Sequence, residues 1–103
     1  MIEWENMSFG GNWKEMFKAI QEGNFELVSY HINAGVDPNY QHPEYMALPL
    51  VESIRFNHLD IAKLLLENGA NPNSKEVLGA DSPLSVAKAK NNSEAIKLVE
   101  RFL

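Results

Sequence analysis

Three histidines, His31, His42 and His58, are the residues of this chain with the most obvious chemistry to offer. They stand 11 and 16 residues apart, and no cysteine assists them. Neither gap is the short spacing at which two side chains grip one metal ion. Ser53, His58 and Asp60 supply the residue types of a nucleophile, a base and an orienting acid. The strained Gly-x-Ser-x-Gly elbow that would expose such a serine is missing, so a small core or capping serine and a turn aspartate is the simpler reading. Gly10-Gly11 is too short for a phosphate loop and no Lys-Ser or Lys-Thr follows it. Asp37 and Asn39 flank Pro38, but the acid spacing of a calcium loop is missing. The expectation is a protein that is not an enzyme, with no catalytic residues, no metal and no cofactor.

Composition narrows the remaining classes. The chain has 103 residues, 45% hydrophobic and 22% charged, with a net charge of −5. That length suits one domain. No apolar run approaches a membrane span, and Met1-Ile2-Glu3-Trp4-Glu5 has neither the basic start nor the apolar stretch of a secretory signal. The cytoplasm is the default location. Residues 1–50 hold seven acids and two bases, Lys14 and Lys18, whereas residues 51–103 hold seven of each. Nucleic acid is not expected, because phosphates need a basic stripe. A protein partner with a basic surface, approaching the first half, fits the asymmetry, as does a plain solvated surface.

The elements that would position these residues follow a fixed period. Gly23-Asn24-Phe25-Glu26-Leu27-Val28, Asn57-His58-Leu59-Asp60-Ile61-Ala62 and Asn91-Asn92-Ser93-Glu94-Ala95-Ile96 are offset by 34 residues. Gly35-Val36-Asp37-Pro38-Asn39 returns as Gly69-Ala70-Asn71-Pro72-Asn73, and Leu48-Pro49-Leu50 as Ser82-Pro83-Leu84. Such a period means stacked units that bury their apolar faces at the seams. Residues 1–12 read as a capping segment with Trp4, Met7 and Phe9 laid over the first unit. Residues 13–103 divide into units of about 13–46, 47–80 and 81–103.

Within the units, Trp13, Met16, Phe17 and Ile20 fall at helical spacing after a capping Asn12. The first helix runs from about Trp13 to Gln21 and the second from Phe25 to Asn33, where Gly35 allows a left-handed stop. Pro49 and Pro83 suit the first position of a helix. Helices are expected over Pro49–Phe56, Leu59–Glu67, from Pro83 to the Asn91-Asn92 turn, and over Ser93–Phe102. Loops at about 36–48 and 70–82 project as hairpin-like fingers.

Residues 12–103 resemble the ankyrin repeat family. Its units open with Thr-Pro-Leu-His-x-Ala, turn at Gly-His, and follow the second helix with Gly-Ala-Asp-x-Asn. Leu48-Pro49-Leu50-Val51 and Ser82-Pro83-Leu84-Ser85-Val86-Ala87 match the opening in part. Gly23-Asn24, Asn57-His58 and Asn91-Asn92 match the turn, and Leu64-Leu65-Leu66-Glu67-Asn68-Gly69-Ala70-Asn71-Pro72-Asn73 is the most family-like stretch. The resemblance implies an all-α ankyrin-repeat solenoid of three helix-turn-helix units joined by hairpin-like loops. It makes His58 a structural turn residue. The opening Thr is replaced by Leu48 and Ser82, and the His by Val51 and Ser85, which predicts less regular loops. The first unit lacks the Pro-Leu opening, and no polar cap is recognisable after Phe102-Leu103.

The resemblance also implies binding through finger tips and the ends of first helices. By register the partner-binding candidates are Glu22, Tyr40, Glu44, Tyr45, Met46, Arg55, Phe56, Asp81 and Lys90. Tyr, Arg, Phe and Met are the types that enrich interfaces. Tyr45, Met46, Val77 and Leu78 have a second reading as packing between adjacent fingers. The expected function is a non-catalytic protein-protein interaction module, monomeric when free. Size and resemblance extend this to a dedicated inhibitor or an immunity protein that neutralises a cognate toxin, of the small stand-alone kind found in bacteria. The alternative is a homo-oligomeric structural subunit that stacks on itself through Val99, Phe102 and Leu103. A small-ligand or metal-dependent enzyme is a further alternative.

Overall fold

The computed structural model describes residues 12–103, so the capping segment expected over residues 1–12 lies almost wholly outside the described residues. Six α-helices follow in order: α1 (Trp13–Glu22), α2 (Phe25–Asn33), α3 (Pro49–Arg55), α4 (Leu59–Glu67), α5 (Pro83–Ala89) and α6 (Ser93–Glu100). They pair as α1–α2, α3–α4 and α5–α6. First helices pack in series, α1 on α3 on α5, and α2 packs on α4. This is the all-α repeat stack that the period implies. α2 and α4 have the expected bounds, and α1, α3 and α6 differ by one or two residues at their C-terminal ends, as fraying termini usually do.

The 34-residue columns sort side chains by depth. Met16 and Leu50 are almost fully buried, while Leu84 in the last unit is only partly so. Ala19, Ser53 and Ala87 are buried where the turn folds back, and their carbonyls accept the amides of Asn24, His58 and Asn92. Ser53 Oγ donates to the Leu50 carbonyl at 2.6 Å. Ser53 Oγ and His58 Nε2 are thus each bonded to a backbone carbonyl.

The outer side of the third unit is polar. Lys88 and Glu100 are exposed there, in the columns that hold Ile54 and Leu66 in the second unit. Val99, expected on an open end, is wholly buried. Phe102 and Leu103 of that expected patch are exposed.

Backbone conformation repeats with the same period. Positive φ occurs at Gly23, Asn57 and Asn91, at Gly35 and Gly69, and at Met46 and Ala80. The turn column permits Asn because its short polar side chain tolerates the left-handed region. Gly23 has a second reason. A Cβ there would lie 2.7 Å from the His58 ring, whose Nε2–H donates to the Gln21 carbonyl at 3.2 Å. His58 thus joins two units.

Side chains cap three of the six helices, α2, α5 and α6, while Leu48 and His58 make no such bond before α3 and α4. Asn24 and Asn92 accept the amides of Leu27 and Ala95, and Ser82 forms a reciprocal pair with Ser85. Asn12, expected to cap α1, makes no side-chain bond, and only its carbonyl engages, with the Met16 amide.

The fingers are regular, contrary to the expectation from their departures in sequence. His42 N–H donates to the Ala47 carbonyl and Met46 N–H to the His42 carbonyl. One period later, Glu76 N–H donates to Asp81 and Ala80 N–H to Glu76. Asp37 and Asn71 each accept the amide two residues on, fixing both loop starts. Asn39 then bridges the loops, donating to the Gly69 carbonyl and accepting the Asn71 amide. Local turn chemistry and these bridges replace what the missing Thr and His would supply.

Gly23→Ala is expected to cost about 2 kcal/mol, combining left-handed strain with the His58 contact. Asn91→Ala, at the same φ sign, is expected to cost about 1 kcal/mol. Urea denaturation of both variants measures the difference, and equal losses would deny the His58 contact its part.

Candidate functional site

The candidate site is the face made by the first helices and the two fingers. Its middle is an ion cluster. Arg55 contacts Glu52 one helical turn earlier, Glu76 Oε1 at 2.7 Å and Asp81 Oδ2 at 3.2 Å. Glu52 and Glu76 are buried, and Arg55 keeps about a third of its side chain exposed. Gln21 Nε2 donates to Glu52 at 2.9 Å, and the Leu48 amide donates to Glu76 at 2.9 Å. The cluster therefore ties α1, α3 and the second finger together. Burial works against the guanidinium charge, but hydrogen bonds and attraction from Glu76 and Glu52 outweigh it and raise its pKa above the ordinary arginine value.

The first finger is held by aromatic rings. His42 is buried, and its Nδ1 accepts the amides of Glu44 and Tyr45, both at 3.1 Å. An accepting Nδ1 places the ring proton on Nε2. The imidazole stacks on Tyr45 at 4.1 Å and meets the edges of Trp13 and Phe17 at 5.0 and 4.8 Å. Tyr40 lies 5.4 Å from Trp13.

These bonds divide the nine expected contact residues. Glu22, Glu44, Tyr45, Phe56 and Lys90 are exposed. Arg55 and Asp81 are instead engaged in the ion cluster, because the finger brings Glu76 and Asp81 back onto α3. Tyr40 packs on Trp13. Met46 is half-buried and its Sδ receives Gln41 Nε2 at 3.8 Å. Val77 and Leu78, for which packing between fingers was an open reading, are 70% and 78% exposed. Lys14 and Lys18 also face solvent. The sequence reading counted them only as charge; their i, i+4 spacing, opposite Met16 and Ile20, was the signal that places them on this face.

Charge on the face is mixed. Lys14 and Lys18 stand with Glu22 and Glu44, while Glu15 meets buried His31 at 2.7 Å and Asp37 holds its own loop. Among the described residues this face therefore pairs two exposed lysines with two exposed glutamates. Among the described residues no group of three His, Asp or Glu side chains is placed to hold a metal, and no helix is long and apolar enough to cross a membrane.

Paired helices, left-handed turns and bridged fingers recurring in one register define a repeat protein, and the comparisons agree. A family model of ankyrin repeats (3 copies) matches residues 8–76, and the chain belongs to the ankyrin repeat family. It is 29% identical over 85 residues to a putative ankyrin repeat protein of fowlpox virus, covering 82% of this chain and 14% of that protein. It is 31% identical over 81 residues to a putative ankyrin repeat protein of Acanthamoeba polyphaga mimivirus, covering 79% of this chain and 49% of that protein. The ARF GTPase-activating protein Git of Drosophila melanogaster is 28% identical over 90 residues, 87% of this chain and 12% of Git. The chain thus spans at most about half the length of these curated relatives. Ankyrin repeats are protein-protein interaction modules, typically without catalysis.

Arg55→Met leaves two buried carboxylates without their cation and is expected to cost about 2 kcal/mol. Asp81→Asn, at the exposed edge of the cluster, is expected to cost under about 0.5 kcal/mol. Chemical denaturation separates the two, and small equal losses would remove the cluster as a brace.

Proposed function

We propose that this chain is a non-catalytic module that holds one partner protein against the face of first helices and fingers. One observation carries this reading. Four large apolar side chains, Tyr45, Phe56, Val77 and Leu78, are 45–78% exposed on finger tips and a helix end. Beside them His42 and Glu76 are buried, and Arg55 and Asp81 are held in the ion cluster. Exposed apolar groups on a braced frame give a partner desolvation with little backbone left to order. Glu22, Glu44 and Lys90 add charges at the rim, where they steer and select more than they hold.

Occlusion alone suffices for such a protein to act as a dedicated inhibitor. An immunity role, neutralising a cognate toxin as a cytoplasmic monomer, is the specific form proposed here. The test is capture of the partner with the tagged chain, identification by mass spectrometry, and titration of the purified pair. The partner's own activity is then measured with and without the chain. A single tight partner whose activity falls on binding is expected. Phe56→Ala and Leu78→Asp are each expected to weaken binding at least about tenfold, the scale of interface hot spots. If both stay within about threefold of the parent, this face is not the one used.

A further inference from the structure

We infer that the groove between α1 and the first finger takes an acidic side chain followed by an aromatic one, supplied by the protein partner. The inference rests on the reading above that this face binds protein, and it names which chemistry enters at one end. The groove is open, with a volume of about 370 Å³. Lys14 and Lys18 stand on its α1 side, one helical turn apart and both exposed. Neither makes an ion pair with any described residue. Lys14 Nζ lies 5.6 Å from the Trp13 ring, which steers that ammonium without neutralising it. On the opposite side Tyr45 presents an exposed ring, backed by His42 and with Phe17 6.1 Å away.

A carboxylate between two ammonium groups and a ring against Tyr45 satisfy both walls at once. Charge also sets the direction. Glu44 lines the finger side of the groove and repels an acid there, so the carboxylate goes to α1 and the ring to the finger. Gln21 also lines the groove and gives one amide N–H to Glu52. A lysine or arginine side chain from a partner would meet two like charges on entering. The groove therefore selects against the basic partner that the acid excess of the first half suggests.

The probe is acetyl-Glu-Glu-Phe-amide, titrated into the whole ¹⁵N-labelled chain and followed by amide chemical shifts. Acetyl-Lys-Lys-Phe-amide and inorganic phosphate serve as the two comparison ligands. The acidic peptide is expected to move the amides of Lys14, Lys18, Glu44 and Tyr45. The double variant Lys14→Glu with Lys18→Glu, at exposed positions, is expected to weaken that peptide at least about tenfold and to favour the lysine peptide instead. An equal response to the lysine peptide, shifts located elsewhere, or no shifts would overturn the inference. The same shifts with phosphate alone would show a general anion site and remove the aromatic half of it. If the peptide fails while Phe56→Ala and Leu78→Asp still lose the captured partner, protein binding stands and only this groove's occupant is wrong.

Discussion

Six consecutive buried residues, Pro49 to Ile54, form most of α3, and every other unit is built against them. A seven-residue helix has no stability of its own in water. It persists because α1 lies on one side, α5 on the other and α4 behind. Burying Leu50, Val51 and Ile54 gives each neighbour a wall it lacks alone, which is why a repeat stack folds through its seams. The same enclosure forces a polar solution. Glu52 falls on the face that α1 and the finger cover, so its carboxylate needs Gln21 and Arg55. Arg55 in turn reaches Glu76, which receives the Leu48 amide at the start of α3. Leu48 and Arg55 bracket α3, and Glu76 contacts both, so the central helix and the second finger are braced together.

Much of this was legible in the sequence because it is periodic. A 34-residue offset places Met16, Leu50 and Leu84 in one column, and proline, asparagine and glycine mark the helix starts and turns at fixed points. These signals are local and backbone-driven, so they need no knowledge of the partner elements. What the sequence hid is what two distant segments do together. Arg55 looks free beside Phe56 until the loop returns Glu76 to it from 21 residues away. His42 looks like a loop histidine until its Nδ1 is seen holding two amides of its own finger. Asn12 has the right type for a cap and does not act as one.

The departures from the family pattern prove instructive for the same reason. Loss of the opening Thr and His predicts irregular loops, yet both fingers share one hydrogen-bond pattern and one left-handed position, Met46 and Ala80. The two loops are fastened by different chemistry in one column: imidazole at His42, carboxylate at Glu76. An interaction module benefits from such substitution. The frame stays fixed while the tips vary, from Tyr45 in one finger to Val77 and Leu78 in the next. The column Glu22, Phe56 and Lys90 varies in the same way, running acid, aromatic and base along the stack.

The central claim is that seams make the frame and the finger side of that frame meets the partner. Hydrogen exchange on the free chain and on its complex with the captured partner tests it most directly. New protection confined to residues 14–22, 41–47, 55–57 and 76–81 is the predicted result. Protection gained on α2, α4 and α6, with the fingers unchanged, would contradict it.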